Sequence, residues 1–364
     1  MNSNQKISVY IPAYNHQATI GYTIESILNQ TYQNFELIIS DDNSTDKTVE
    51  VAKSFKDSRI KIIENKINSG VSVNCNTAIK NAIGKYICGI ASDDIMLPTR
   101  LEKSINFLEN NPEFMAVFSF VETIDKNNKL IDHKIKTVFN RDVDSSNILK
   151  KLFYKGNFLC GTSSMIKLEC IKKDSSHNLC LLQLQDLDLW MRILINNYKI
   201  KILPEPLTQY RVSGSNLSAI DKPLTKQMAT KINFEYSYIL NNFLSINNFE
   251  LASSFLDLSD YPVIDAKYFH FYLASESLKI ANKMPFYIAD SYKKFALNLL
   301  CNMLNSENLK DELNKNFNFS IADFYKMYQN NILFNLIDNS YYKKKNMFQR
   351  LKKSFYKRIG KTEC

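Results

Sequence analysis

The first 120 residues alternate between short apolar runs and stretches with helical spacing, and that alternation constrains the fold more than any other feature. Residues 6–12, 35–40, 60–64, 86–91 and 115–121 are runs of strand length, rich in Ile, Val, Phe and Tyr. Between them, Ile20, Ile24, Ile27 and Leu28 recur at helical spacing, as do Val49, Ala52 and Phe55. Val73, Thr77, Ile79 and Ile83 follow the same rule less cleanly, and Leu101, Ile105 and Leu108 follow it well. Pro98 suits the first turn of the helix carrying Leu101, where a missing N–H costs nothing. Strand–helix–strand alternation with short links predicts an α/β fold with a mainly parallel, doubly wound sheet. Ligands of such sheets sit beyond the carboxyl ends of the strands.

Further along, residues 157–167 read as another strand-like segment, 186–196 as a helix and 199–203 as a strand. After about Ser218 helical periodicity takes over through residue 335, with breaks near Asn247, Pro262, Pro285 and Ser306. The expected organisation of the 364 residues is a sheet domain over 1–218, an α-helical domain over 219–340 and a basic tail over 341–364.

Charge is informative only once it is located. The formal net charge is +9, and residues 343–364 hold nine Lys or Arg against the single acid Glu363, so the tail carries +8 of it. A nucleic-acid binder with a basic surface is excluded, and a tail with its own role is indicated. The seven cysteines are scattered without a CxxC pair and there are four His, which argues against a zinc site and for reduced, buried thiols. The N-terminus enters a strand with no signal-peptide pattern, and no apolar run reaches the ~20 residues that span a bilayer. A cytoplasmic location is expected.

The strand ends collect carboxylates. The second apolar run leads into Asp41-Asp42-Asn43-Ser44-Thr45-Asp46, the fourth into Ser92-Asp93-Asp94. Asp46 suits the dipole of the following helix and is read as structural. Two acidic pairs at one sheet edge repel each other unless a cation or hydrogen bonds intervene. A hard divalent cation carrying a diphosphate would meet that need. Neither GxGxxG nor GxxxxGK[ST] is present, so phosphate is not held by a glycine loop.

Val9-Tyr10-Ile11-Pro12-Ala13-Tyr14-Asn15, Ser26-Ile27-Leu28-Asn29-Gln30-Thr31-Tyr32 and Phe35 through Asp46 resemble the opening of family 2 glycosyltransferases. Asn68-Ser69-Gly70, Asn76, Gly84-Lys85-Tyr86-Ile87 and Ser92-Asp93-Asp94-Ile95-Met96-Leu97-Pro98 continue the resemblance in order. Gln185-Asp186-Leu187-Asp188-Leu189-Trp190-Met191-Arg192 and Tyr210-Arg211 complete it, over roughly residues 6–216. The resemblance implies a GT-A nucleotide-diphospho-sugar transferase fold and an inverting mechanism.

It also implies roles, position by position. Pro12, Ala13, Tyr14, Asn15, Asp41 and Asp42 would line the nucleoside pocket, one aspartate accepting from the uracil N3–H. Asn68, Gly70, Ser92, Asp94 and Arg211 complete the expected donor-binding set. Asp93 matches the second Asp of Asp-x-Asp, the ligand of Mg²⁺ or Mn²⁺, and Asp186 matches the catalytic base, with Asp188 as second choice. Asp186 has a rival role as a helix cap, Arg211 as the partner of a buried acid, and Trp190 as core rather than a sugar platform. Three positions depart from the pattern: Ala91 stands at the first Asp of Asp-x-Asp, Gln185 at the Glu of Glu-Asp, and Ser213 where a His often follows Tyr-Arg.

These residue types suit the chemistry. An acceptor hydroxyl needs a carboxylate to take its proton as the new bond forms, and the departing nucleoside diphosphate needs its growing charge offset. In the tail, Phe348, Leu351, Phe355 and Ile359 share one helical face and the basic residues lie largely elsewhere, a pattern that suits an anionic membrane surface or a protein partner. The expected function is transfer of a single sugar, from UDP-hexose or UDP-N-acetylhexosamine, to a glycan or lipid-linked glycan acceptor in surface-glycan assembly. A non-catalytic sugar-nucleotide-binding scaffold and a nucleotidyltransferase are the alternatives.

Overall fold

Ile7, Val9, Ile11 and Ala13 of strand β1 (Ile7–Ala13) fill one face and are fully buried, while on the other face Ser8 is buried and Tyr10 and Pro12 are half-buried, as in a sheet covered on both faces. In the computed structural model, which describes residues 6–174, 177–213 and 225–330, β1 pairs in parallel with β2 (Phe35–Asp41) and β4 (Tyr86–Gly89). Strand β3 (Ile60–Glu64) lies outside β2. The remaining strands are β5 (Ile95–Met96), β6 (Phe114–Ile124), β7 (Met165–Lys167) and β8 (Lys199–Arg211), and the order is β3-β2-β1-β4-β7-β6-β8-β5. Strands β7 and β5 run against their neighbours, while the others share one direction, as the mainly parallel expectation requires. The chain leaves β1 toward β2 and β3 and returns on its other side as β4. The carboxyl ends of β1 and β4 therefore flank a switch point of the winding.

The helix Ile20–Leu28 buries Ile20, Ile24 and Ile27, and the helix Arg100–Asn110 buries Leu101, Ile105 and Leu108, against the core that contains β1 and β2. Each such side chain contributes about 1.5–3 kcal/mol by leaving water. Gln30 stitches the two helices: its Nε2 donates to Leu97 O at 2.9 Å, and its Oε1 accepts from Leu101 N at 3.0 Å. Because Gln30 serves that orphan N–H, the helix begins at Arg100, and Pro98 precedes it instead of lying in its first turn. Gly84 is required by close approach, since a Cβ there would lie 2.6 Å from Ser8 N and 2.7 Å from Lys6 O.

Two expected strands change length. Of residues 157–167 only Met165–Lys167 is strand, because Gly161–Ser163 forms a 3-10 turn. Strand β8 continues past Pro204 and Pro206 to Arg211: its pairing with β6 shifts between Ser119↔Leu203 and Phe120↔Pro206, and a bulge of this kind tolerates prolines that cannot donate.

The described residues form two compact units, 6–213 with Tyr238–Asp257, and 225–237 with 258–330. Tyr238–Asp257, expected in the helical domain, packs in the sheet unit. Phe243 and Phe255 sit 4.8 and 5.6 Å from the Phe153 ring. The second unit contains the helices Phe269–Ala281, Phe286–Leu304, Glu307–Phe317 and Ile321–Asn330. In it Phe271 packs on Phe317 at 4.6 Å, and Asn233 Nδ2 donates to Tyr287 O at 2.7 Å. No helix among the described residues is long and apolar enough to cross a membrane. The tail 341–364 lies outside the described residues. Cys75, Cys88, Cys160 and Cys170 are buried free thiols as expected, but Cys180 and Cys301 are exposed.

Candidate active site

Strand β1 ends at Pro12 and Ala13, and Asn15 then takes a positive φ of 54°, which asparagine tolerates better than most residues. The turn locks onto the loop after β2: Asn15 N donates to Ser44 Oγ at 2.9 Å, and Asn15 Oδ1 accepts from Thr45 N at 2.8 Å. Tyr14 is left exposed beside it, as is Asn68 in the loop after β3.

Asp41 and Asp42, both buried, are not bare carboxylates in want of a cation. Asp41 accepts from Ser44 N and Ser44 Oγ at 2.8 and 2.5 Å. Asp42 accepts from Ser69 N and Gly70 N at 3.0 and 2.8 Å. Gly70, at φ 89°, turns the chain into the helix Val71–Lys80. Hydrogen bonds, and not the expected cation, thus stabilise this pair, which leaves the β4 end as the place where a cation is needed. Asp46 is structural, accepting from Thr48 N at 2.9 Å and Gln17 N at 3.1 Å.

Beyond β4, the loop carrying Ser92, Asp93 and Asp94 leads into β5, which pairs Ile95 with Gln209 and Met96 with Thr208 of β8. That pairing brings Tyr210-Arg211 alongside the two aspartates. Arg211 N donates to Asp94 Oδ1 at 2.7 Å, and the Arg211 guanidinium donates to Asp93 O, Asp125 O and Asn128 Oδ1, each at 2.6 Å. Arg211 is 1% exposed, so this geometry makes it the clasp of the loop rather than a reach toward diphosphate. Burial, then the charge of Asp93, push the Asp94 carboxyl well above the carboxylate range. Burial raises Asp93 too, with His16 and Arg211 opposing. Among the described residues no group of three or more His, Cys, Asp or Glu is arranged to hold a metal ion.

Asp186 opens the helix Gln185–Ile195 and is half-buried. Its Oδ2 accepts from Asn157 Nδ2 at 2.9 Å and its Oδ1 from Leu187 N at 2.7 Å. The turn Gly161–Ser163 links it to the metal-side loop. A Cβ on Gly161 would lie 3.8 Å from Asp186 Oδ2, while Thr162 Oγ1 accepts from Ala91 N at 3.1 Å. The Cys160 thiol, pushed up by burial, feels the charges of both Asp94 and Asp186. Acids from the β4 end and from this helix therefore share one neighbourhood, and Asp42 sits across β1 from it.

The sequence profile of glycosyl transferase family 2 matches residues 8–174. An uncharacterized glycosyltransferase of Methanocaldococcus jannaschii is 36% identical over 222 residues, 59% of this chain and 74% of that protein. The chain belongs to glycosyl transferase family 2. Another relative of this glycosyltransferase is the UDP-Glc:alpha-D-GlcNAc-diphosphoundecaprenol beta-1,3-glucosyltransferase WfaP of Escherichia coli, 33% identical over 217 residues, 58% of this chain and 80% of WfaP. Among solved structures, S. aureus TarS 1-349 in complex with UDP-GlcNAc superposes with a TM-score of 0.56 at 15% identity, over 82% of this chain and 92% of that one. The likeness shows a shared GT-A fold.

In the glycosyltransferase, Asp188 is not placed to act as a base. It is 1% exposed, its Oδ2 takes two hydrogen bonds from Arg192 Nε and Nη2 at 2.8 Å, and its Oδ1 accepts from Asn242 Nδ2 at 2.8 Å. Trp190 is core, edge-on to Phe118 at 4.8 Å. Two positioning residues carry no signal in the sequence. Asn157 lies in a loop and Thr162 in the 3-10 turn Gly161–Ser163, and their partners lie 29 and 71 residues away, beyond the reach of any local pattern.

Proposed function

We propose that this glycosyltransferase transfers one sugar, with inversion, from a UDP-hexose or UDP-N-acetylhexosamine to a hydroxyl of a glycan or lipid-linked glycan during surface-glycan assembly. The observation that carries the reading is the connection of Asp186 to the Asp93 loop through Gly161, Thr162 and Ala91. Inversion needs one base on the acceptor side and charge stabilisation on the leaving-group side, and this arrangement supplies both from one wall. Support for the donor class comes from WfaP, named for UDP-Glc, and from TarS, solved with UDP-GlcNAc. Support for a lipid-linked acceptor comes from the diphosphoundecaprenol in the name of WfaP.

On this reading Asp186 takes the acceptor proton at a carboxylate oxygen oriented by Asn157. Pro12, Ala13, Tyr14, Asn15, Asp41 and Asp42 frame the nucleoside, with Asp42 as the uracil acceptor, since each carboxylate oxygen has a second lone pair. Gly70, Ser92, Asp94 and Arg211 shape the donor side by holding its loops, and the exposed Asn68 is left for the donor itself. A divalent cation fits the residues present: apart from its own backbone N–H, no described residue hydrogen-bonds the Asp93 carboxylate. Mg²⁺ and Mn²⁺ sites on nucleotides commonly combine one or two protein ligands with phosphate oxygens. When bound, the ion would offset the charge growing on the departing diphosphate. The basic tail would hold the protein at the anionic cytoplasmic face of the membrane, where lipid-linked acceptors reside.

Incubation with a panel of nucleotide sugars and a diphosphopolyprenyl-sugar acceptor tests the proposal. Release of UDP with formation of a product of opposite anomeric configuration is expected. Turnover confined to non-uridine donors, or a product of retained configuration, contradicts it.

A further inference from the structure

His16 belongs to none of the motifs that carry the family resemblance, yet it is fixed at the donor-side loop at two points. Its backbone N–H donates to Thr48 Oγ1 at 2.7 Å, and its Nδ1 is hydrogen-bonded to the hydroxyl of Ser92, the residue before Asp93. Ser92 is itself buried and held, its carbonyl accepting from Thr19 Oγ1 at 3.1 Å. The His16–Ser92 contact places the ring at the Asp93 loop, against the residue next to the carboxylate. The second ring nitrogen, Nε2, has no partner among the described residues. Imidazoles that bind metals are arranged in this way, with one nitrogen in a hydrogen bond that fixes tautomer and orientation and the other directed to the ion. In the same loop, Ala91 withholds the first carboxylate of the Asp-x-Asp pattern.

We infer that His16 Nε2 is a protein ligand of the donor-bridging cation beside Asp93, replacing the carboxylate missing at Ala91 and biasing the site toward Mn²⁺ over Mg²⁺. The inference rests on the proposed binding of a UDP-sugar through a divalent cation. In this role Nδ1 carries the proton and donates it to Ser92 Oγ, leaving the Nε2 lone pair for the ion. Mg²⁺ prefers oxygen donors and gains little from an imidazole, whereas Mn²⁺ stands above it in affinity for nitrogen.

The test is Mn²⁺ binding to the full chain at saturating UDP, followed by electron paramagnetic resonance, with Mg²⁺ measured by competition. The parent protein should show spin-echo modulation from an imidazole ¹⁴N. His16→Ala should abolish that modulation and weaken Mn²⁺ binding about tenfold or more. Mg²⁺ binding, and UDP binding in excess chelator, should stay within about twofold. Should His16→Ala fail to fold, His16→Gln must show the same losses. Unchanged Mn²⁺ affinity, equal losses for both metals, or weaker UDP binding in chelator overturns the inference, the last by making His16 a direct diphosphate contact. A parent protein that binds no Mn²⁺ with UDP overturns the donor reading itself, which separates the two failures.

Discussion

Asn157 Nδ2 donates to Asp186 Oδ2 at 2.9 Å, and the same amide is oriented from its other end by Leu159 N, which donates to Asn157 Oδ1 at 3.1 Å. The amide thus fixes where one oxygen of the proposed base points. Asn157→Ala should lower kcat about tenfold while leaving donor affinity unchanged, because misplacement by a fraction of an ångström is costly at the reacting centre and irrelevant to nucleotide binding. Steady-state kinetics paired with calorimetric UDP binding checks this; a loss confined to binding contradicts it.

Asp188 should matter to stability and little to chemistry. Removing it leaves the Arg192 guanidinium, whose side chain is 20% exposed, and the Asn242 amide without their shared partner. Breaking such a buried pair costs about 3 kcal/mol. Asp188→Ala should therefore lower Tm by on the order of 10 °C and retain most of the kcat of the folded protein. A kcat loss as large as that of an Asp186 variant would restore Asp188 as a candidate base.

His177 gives the fold an acid-sensitive point. Burial lowers its pKa from 6.5 to about 4, and its backbone is clamped by Asn76, whose amide accepts from His177 N at 2.9 Å and donates to His177 O at 2.7 Å. Below pH 6.5 the unfolded chain takes up a proton that the folded chain refuses, so stability falls with pH until the folded group also titrates near 4. At pH 5 the loss approaches about 2 kcal/mol. His177→Gln should flatten the fall in Tm between pH 7 and pH 5; an unchanged slope contradicts the assignment.

Deleting residues 343–364 removes nine of the Lys and Arg residues and one acid. The truncated protein should leave anionic vesicles in a sedimentation assay while keeping its activity on a soluble acceptor. Unaltered sedimentation rules out anchoring by the tail.

The sheet was legible because β1, β2 and β4 are β-branched and aromatic runs buried on both faces, where pattern and packing agree. Strand β8 was cut short because Pro204 and Pro206 resemble a strand end in one dimension, and only pairing with β6 reveals the bulge. The fate of residues 238–257 was hidden for a similar reason: helical spacing does not say that Phe243 and Phe255 will find Phe153. In the site, the acids at the strand ends were visible, yet their partners were not. Asp42 is served by backbone N–H groups of Ser69 and Gly70, which carry no side-chain signature. Asp188, expected as second choice for the base, is instead held by Arg192 four residues on along the same helix, a contact that the i,i+4 spacing permits and only the structure shows.

Asp186→Asn probes the account at its centre, because the amide keeps the shape of the carboxylate and one of the two hydrogen bonds that Asn157 Nδ2 and Leu187 N donate to it, but cannot take a proton. Single-turnover transfer should slow by about 10³-fold, within the range a positioned base supplies, while UDP binds with unchanged affinity and the protein melts within a few degrees of the parent. Transfer within tenfold of the parent rate would show that the proton leaves by another route, and the assignment of this carboxylate would be wrong.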